Sequence, residues 1–345
     1  MNCPNCGAAV DADFAFCESC GAALTPSRTT AANPVGSVDA SARTQPTTRH
    51  TEPAVPPAPP CPNCGGAVGS DGWCTVCGAR ASNGREHVIE QPAPTVAAVS
   101  DRGRLHPRNE DAFAVASQDG WTALVVCDGV TTATDSDTAA FAAAQAARNL
   151  LTAADRPTGS VADRQRHWSL QVKAAAVAAD QAAEGTATGG DANPPSCTFV
   201  TAITDGEVIV AANVGDSRAY WLPDNGPAQQ LTTDDSWATE QIRAGVPRDE
   251  AEADPQAHAI TRWLGIDSPE VDANTTTVTA DCPGWLLVCS DGLWNYCSDA
   301  SQLREVVDKQ PAEPLARAEA LVAWANEQGG HDNITVTLAR IGDVF

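Results

Sequence analysis

Lysine is nearly absent from this 345-residue chain: Lys173 and Lys309 stand against 19 arginines, and acids outnumber bases 44 to 21 for a net charge of −23. A chain this poor in cations cannot neutralise a nucleic-acid backbone or an anionic bilayer, which excludes both as main partners. No run approaches 18 apolar residues, so no membrane-spanning helix is expected. The opening residues Met1-Asn2-Cys3-Pro4 lack the basic region and apolar run of a signal peptide. A cytoplasmic location is therefore expected, where thiols stay reduced and paired cysteines bind metal more often than they form disulfides. What is present is globular on average, 43% hydrophobic and 19% charged, with length for two or three domains. The acidic balance suits a soluble protein or a carboxylate-rich binder of metal cations. Abundant alanine and the arginine-for-lysine bias point to a GC-rich bacterial genome.

The thirteen cysteines are unevenly spread. Cys3/Cys6, Cys17/Cys20, Cys61/Cys64 and Cys74/Cys77 are C-x2-C pairs, whereas Cys127, Cys197, Cys282, Cys289 and Cys297 stand singly and read as core or strand residues. Each C-x2-C turn lets two thiolates converge on one ion, and four soft thiolates in a tetrahedron suit Zn²⁺. Gly7, Gly21, Gly65 and Gly78 directly follow the pairs, where the turn around sulfur needs an unhindered backbone. Four cysteines leave no open ligand position, so two structural zinc ions are expected, and metal binding would supply the folding free energy of such small modules. Residues 1–90 hold five arginines and no lysine against eight acids, which favours protein docking over nucleic acid. The modules resemble the short zinc ribbons found at the ends of many bacterial proteins. The expected organisation is a zinc ribbon at 1–24, a Pro/Thr/Ala-rich disordered linker at 25–60, a second ribbon at 61–80, a connector at 81–95 and one large α+β domain at 96–345. The run Pro53–Pro60 reads as an extended polyproline-like spacer.

From Val96 onward, short β-branched runs alternate with alanine-rich helical runs. Strands are expected at Trp121–Cys127, Thr198–Thr204, Glu207–Asn213, Ala219–Leu222, Thr275–Thr279, Trp285–Cys289 and Ile334–Arg340. Asp205-Gly206 is a hairpin signal between two of them. Helices are expected at Thr138–Leu151, Trp168–Glu184, around Trp237–Ala244, at Ala300–Asp308 and at Pro314–Gln328.

Three segments put an aspartate next to an apolar strand and before Gly or Asn: Val126-Cys127-Asp128-Gly129, Cys289-Ser290-Asp291-Gly292 and His331-Asp332-Asn333. An acid at the end of a buried strand is costly unless something positive sits there, and several such acids aimed at one place would bind hard cations through oxygen. Arg108-Asn109-Glu110-Asp111 and Gly215-Asp216-Ser217-Arg218 add further acids. Taken singly, Asp-Gly is a common turn and the others read as surface acids. Their joint order resists that reading.

Together with Ser100-Asp101-Arg102-Gly103, Ser196-Cys197-Thr198, Leu231-Thr232-Thr233-Asp234 and Thr261-Arg262-Trp263-Leu264-Gly265, these segments run in one order across about 96–343. In that order they resemble the metal-dependent protein phosphatase family of the protein phosphatase 2C type. The resemblance implies an α-β-β-α sandwich of two antiparallel sheets flanked by helices, with the metal centre at one end. It implies a protein serine/threonine phosphatase using two, with a third weaker, Mn²⁺ or Mg²⁺ ions. Asp128 would bridge two ions, with Asp291 and Asp332 on one, Glu110 (through water) and the Gly129 carbonyl on the other, and Asp216 helping Asp291 hold the third. A water activated between the ions would attack phosphorus in line with the leaving Ser or Thr oxygen. Phosphoproteins, including bacterial Ser/Thr kinases and their targets, would be the partners in signalling.

Two departures stand out. His106 occupies the place where many members carry a phosphate-gripping arginine; it is the candidate grip, with Arg104 and Arg108 as alternates that share its face on an extended chain. After Gly129 the chain reads Val130-Thr131-Thr132-Ala133-Thr134 in place of Met or His then Gly-Gly. Val130 cannot act as a general acid, so that role is unassigned. Residues 237–258, ending at His258, resemble the variable flap that borders the site. The alternative function is a non-catalytic adaptor that binds partners through its ribbons; intact acids at 110, 128, 216, 291 and 332 favour an enzyme.

Overall fold

A computed structural model describes residues 60–342, apart from 62–63, 70–72, 79–83, 191 and 269–270. The expected first ribbon, with Cys3, Cys6, Cys17 and Cys20, and nearly all of the linker lie outside the described residues. The first half of the large domain runs β1 (His87–Ala93), β2 (Val96–Asp101), β3 (Ala112–Gln118), β4 (Trp121–Cys127), α1 (Ser136–Ala153), α2 (Val161–Glu184), β5 (Ser196–Cys197), β6 (Phe199–Thr204) and β7 (Val208–Val214). It continues with β8 (Arg218–Pro223), β9 (Gln229–Gln230), α3 (Trp237–Arg243), α4 (Arg248–Glu252), β10 (Leu264–Gly265) and β11 (Asn274–Thr279). The last part is β12 (Gly284–Cys289), α5 (Asp291–Trp294), α6 (Ala300–Asp308), α7 (Pro314–Gln328) and β13 (Ile334–Ile341).

The strands form a six-stranded sheet in the order β1-β2-β13-β12-β8-β9 and a five-stranded sheet in the order β11-β7-β6-β4-β3. Every pairing in both is antiparallel. Period-2 alternation decides which way each side chain faces. Leu124 and Val126 of β4 meet Leu286 and Val288 of β12 in a core between the sheets. Val125 and Cys127 face the other way, into a core with α1 and α2 that holds Trp168 and Phe199. On the far side Leu287 and Cys289 pack against Leu303, Leu321 and Ala325 of α6 and α7. Both sheets are thus covered on both faces, which is why their central strands are buried along their whole length. Many helix positions at the α1–α2 contact are alanine, so the two helices approach closely over one sheet face.

The expected strands and long helices form, most with ends shifted by a few residues and α2 starting two turns earlier than expected, at Val161; β6 and β7 close over Asp205-Gly206, where Gly206 has φ +94°. Residues 87–93 are not connector: they make the edge strand β1 on β2. Its exposed Glu90, Gln91 and Pro92 hid it, because an edge strand has one neighbour and tolerates Pro and polar residues. Strands β2 (VAAVSD) and β3 (AFAVASQ) form beyond those expected, because alanine carries no β signal. Among the described residues no helix is long and apolar enough to cross a membrane.

Leu124 is fully buried between the sheets. Leu124→Ala should destabilise by about 2–5 kcal/mol in urea unfolding. A loss under about 1 kcal/mol would mean the two sheets do not interlock there.

Candidate active site

The acids reach one end of the sandwich because of strand parity. Asp128 continues the β4 alternation of Leu124 and Val126, so it points between the sheets rather than toward α1. Its backbone is held by Thr198, whose N–H donates to Asp128 O (2.7 Å) and whose Oγ1 accepts from Asp128 N (3.1 Å). Asp291 opens α5 directly after β12, and Asp332 lies just before β13. Asp216 sits in the turn between β7 and β8. That turn is pinned by buried Asp235, which accepts from Gly215 N (3.1 Å) and from Asn274 Nδ2 (3.1 Å) and lies 3.3 Å from Arg262. Asp128, Asp216, Asp291 and Asp332 line one cleft of about 160 Å³ with Gly129, Val130, Thr131, Thr198, His258 and Ile260.

Burial of so many like charges sets the electrostatics. Burial first, then Asp111, Asp291, Asp332 and Asp216, holds the Asp128 carboxyl well above the usual carboxylate range. Burial, then Asp291 and Asp234, does the same to Asp216, with Arg218 opposing. Asp291 is pushed up to about 6 by burial and Asp332, against hydrogen bonds from Asp128 and from Asn295 Nδ2 (2.9 Å). The nearby arginines are spent elsewhere: Arg108 on Glu110 and Asp137, Arg218 on Asp234.

Of the acid pair before β3, the structure turns Asp111 inward. Odd positions Phe113 and Val115 face the inter-sheet core, whereas even positions Ala112 and Ala114 face α1. Asp111 follows the odd set: burial lifts it to about 7 and Asp332 and Asp291 add to the rise, while Ser290 and Thr335 oppose it by hydrogen bonding. Its Oδ2 accepts from Ser290 Oγ (2.7 Å), and its Oδ1 is buried with no protein partner. Glu110 follows the even set. Its Oε1 accepts from Arg108 Nε (3.1 Å) and Nη2 (3.0 Å) and from Ser136 Oγ (2.8 Å), on the helix side. The sequence held the clue to Asp111 in the Phe113/Val115 alternation.

His106 approaches the cluster, with Nε2 3.2 Å from Asp332 Oδ1. Arg108 does not share its face: it is buried in the Glu110–Asp137 network, because the segment turns instead of running extended. Arg104 is exposed, its backbone N–H donating to Gly330 O (2.8 Å). Asn333 ties these loops together: its Oδ1 accepts from Glu110 N (2.7 Å) and its Nδ2 donates to Arg102 O (2.8 Å) and Arg108 O (3.0 Å). Gly292 is required by close approach, since a Cβ there would lie 1.9 Å from Asn333 O.

Cys61, Cys64, Cys74 and Cys77 form the other cluster, with sulfurs all within 4.8 Å of one another. The Cys77 and Val76 N–H groups draw the Cys74 thiol down to about 6. Among the described residues it is the set of three or more metal-type ligands packed this closely. The carboxylates are spread wider, as a site for more than one cation requires. They fit such cations: Asp111 Oδ1 and Asp291 Oδ1 are buried and unpartnered, and the donors are hard oxygens.

A two-sheet sandwich with helices outside and an acid-lined cleft at one end is the architecture of the metal-dependent phosphatases. Residues 104–328 match the family model described as protein phosphatase 2C, and residues 3–78 match that of the double zinc ribbon. Serine/threonine phosphatase stp of Listeria welshimeri is 31% identical over 243 residues, 70% of this chain and 93% of that protein. The crystal structure of serine/threonine phosphatase Stp1 from Staphylococcus aureus superposes with TM-score 0.62 at 24% identity, covering 74% of this chain and 98% of that one. The catalytic domain of the phosphatase PstP, solved with two manganese ions, gives TM-score 0.54 at 25% identity over 74% of this chain and 100% of that one. The chain belongs to the protein phosphatase 2C family, and its enzyme class is that of protein serine/threonine phosphatases.

The raised Asp111 and Asp291 set a pH dependence. Without metal, the folded chain keeps protons up to about pH 6–7 that the unfolded chain releases near pH 4, so this stability contribution is full on the acid side and lost as pH rises through that window. Metal-free protein should melt several degrees lower at pH 8 than at pH 5.5, and Asp128→Asn should raise the pH 8 value. Melting temperatures that climb with pH in the metal-free protein, measured by calorimetry, would contradict this electrostatic picture.

Proposed function

We propose that the chain hydrolyses phosphoserine and phosphothreonine in proteins at the carboxylate cleft, and that the cysteine modules hold zinc and dock partner proteins. The observation that carries the first part is the convergence of Asp111, Asp128, Asp216, Asp291 and the partly exposed Asp332, like charges that raise one another's proton affinity, without a paired lysine or arginine among the described residues. Asp128, Asp291 and Asp332 would hold Mn²⁺ or Mg²⁺ as the principal ligands, with the Gly129 carbonyl, Asp111 and Asp216 completing a set for two or three ions. When bound, the cations supply charge neutralisation of the phosphate and activation of water for in-line attack on phosphorus.

The chain's own residues do the rest. Thr198 fixes the backbone of Asp128, and Asn295 orients the Asp291 carboxylate. Asn333 locks the His106-bearing loop to the Asp332 loop, which places the imidazole beside the cluster. From there His106 can donate a hydrogen bond to a substrate phosphate oxygen. Glu110 accepts hydrogen bonds from Arg108 and Ser136, which fixes the segment leading to Asp111, and a contact to a cation through water would be made from that held position. Val130 at the rim has no ionisable proton and the Thr131 hydroxyl is too weak an acid to give its proton up, so the leaving oxygen takes its proton from solvent in the cleft. Support for the ribbon reading is the four-sulfur cluster together with exposed Trp73 and Val76 on that module.

The purified full chain should hydrolyse p-nitrophenyl phosphate and phosphothreonine peptides with Mn²⁺ or Mg²⁺, and both EDTA and Asp128→Asn should cut turnover at least about 100-fold, on the order of 3 kcal/mol. Turnover that survives both would refute the metal mechanism. For the ribbon, Cys64→Ser with Cys77→Ser should lower the zinc retained after dialysis by about one ion per chain. Unchanged zinc content by elemental analysis would remove the assignment of those thiols.

A further inference from the structure

Beside the acid-lined cleft lies a second cavity of about 520 Å³, and His258 lines both. It is three times the volume of the cleft that would take the phosphoryl group, and nothing in the proposed hydrolysis uses it. Its inner wall includes Asn295, whose amide holds Asp291, so the cavity reaches to within one side chain of the carboxylate cluster. A substrate chain leaving the cleft past His258 enters this space, and at 3.3–3.6 Å per residue the next one or two side chains fall inside it.

The walls select what can sit there. Arg218 forms part of the floor, but its guanidinium is already spent. It donates to Asp234 at 3.0, 3.1 and 2.6 Å and to Ser298 O at 3.0 Å, and it lies 3.5 Å above the Trp294 ring. That cation is closed to an acidic ligand. Over the floor lies the flap, where the half-buried Ile242 offers apolar surface to an aliphatic stem. At the rim Glu252 pairs, among the described residues, with Arg248 one helical turn away, and both side chains are more than half exposed. Such an exposed i,i+4 pair is worth about 0.3–0.5 kcal/mol, so Glu252 can exchange it for a ligand cation. The helix there reads Arg248-Asp249-Glu250-Ala251-Glu252 and is followed by Asp254, on a chain of net charge −23. The field at the mouth is therefore negative and draws in positive groups.

Resting on the phosphatase reading above, we propose that this cavity is a substrate subsite for a lysine or arginine side chain within two residues of the phosphorylated Ser or Thr. The stem lies along Ile242, and the cation meets Glu252. The subsite makes the enzyme selective for phosphorylation sites in basic sequence, the kind of segment an acidic protein attracts.

The test uses the full chain loaded with Mn²⁺ and phosphothreonine peptides carrying either arginine or glutamate at the two positions on each side. The basic peptide should be favoured at least tenfold in kcat/KM. Glu252→Lys should abolish or invert that preference, and Thr239→Trp, which fills the cavity from its flap wall, should lower the ratio of basic-peptide to p-nitrophenyl phosphate turnover at least tenfold. Equal use of basic and acidic peptides by the parent overturns the subsite while leaving the phosphatase reading intact. So does a preference that both variants retain. Stimulation of p-nitrophenyl phosphate turnover by arginine amide, with no peptide preference, would make the cavity an effector site instead. No turnover of any substrate would remove the phosphatase reading and the subsite with it.

Discussion

Mutual repulsion among carboxylates buried at one end of the sandwich is the constraint around which the rest of the molecule is organised. Asp111, Asp128, Asp216 and Asp291 are held where burial and the neighbouring carboxylates oppose ionisation more than the nearby hydrogen-bond donors and Arg218 favour it. A fold that keeps such a cluster needs a rigid frame, and the two sheets supply it. The acids stand at strand ends or adjoining turns, so the same pairings that close the inter-sheet core also fix the spacing of the oxygens. Loops alone could relax and let the charges separate; paired strands cannot.

The arginines are distributed to protect that arrangement rather than to neutralise it. Arg108 is committed to Glu110 and Asp137, Arg218 to Asp234 over the Trp294 face, and Arg262 lies against Asp235. Each of these pairs sits one layer out from the cluster and fastens a loop that carries one of its acids. The Arg108–Glu110 clamp holds the segment leading to Asp111, and the Asp235 hub holds the turn bearing Asp216. None of these three arginines is left to neutralise the carboxylates at the centre itself. The cysteine module follows the opposite logic, since its soft donors gather around a single point with almost no core of their own.

The flap connects this centre to the outside. Helices α3 and α4 pack on each other through Ala238 and Ala251, joined by Ala257 of the following turn, in a small core separate from the three main ones. A unit anchored so lightly can vary in sequence without disturbing the sheets, and it forms one wall of the larger cavity. His258 and Asn295 are where the two spaces meet.

Most of the frame was legible in the chain itself. Runs such as Trp121–Cys127 and Gly284–Cys289 declare themselves as strands by β-branched and aromatic content, and the joint order of Asp128, Asp216, Asp291 and Asp332 placed acids at one site. The C-x2-C spacing likewise determined a four-sulfur cluster at Cys61–Cys77, because the ligands of a tetrahedral site lie close in sequence. Alanine-rich β2 and β3 and the polar edge strand β1 stayed hidden, since their strand character comes from neighbours rather than from their own side chains. Tertiary structure alone decided that Asp111 turns inward to Ser290, behind the cleft acids, while Glu110 turns to Arg108 and Ser136. It also decided that Arg108 is unavailable to a ligand and that His258 borders two cavities. The physical reason is the same throughout: residue type and order set which chemistry is present, but the direction in which a side chain points depends on strand parity and on partners far away in the chain.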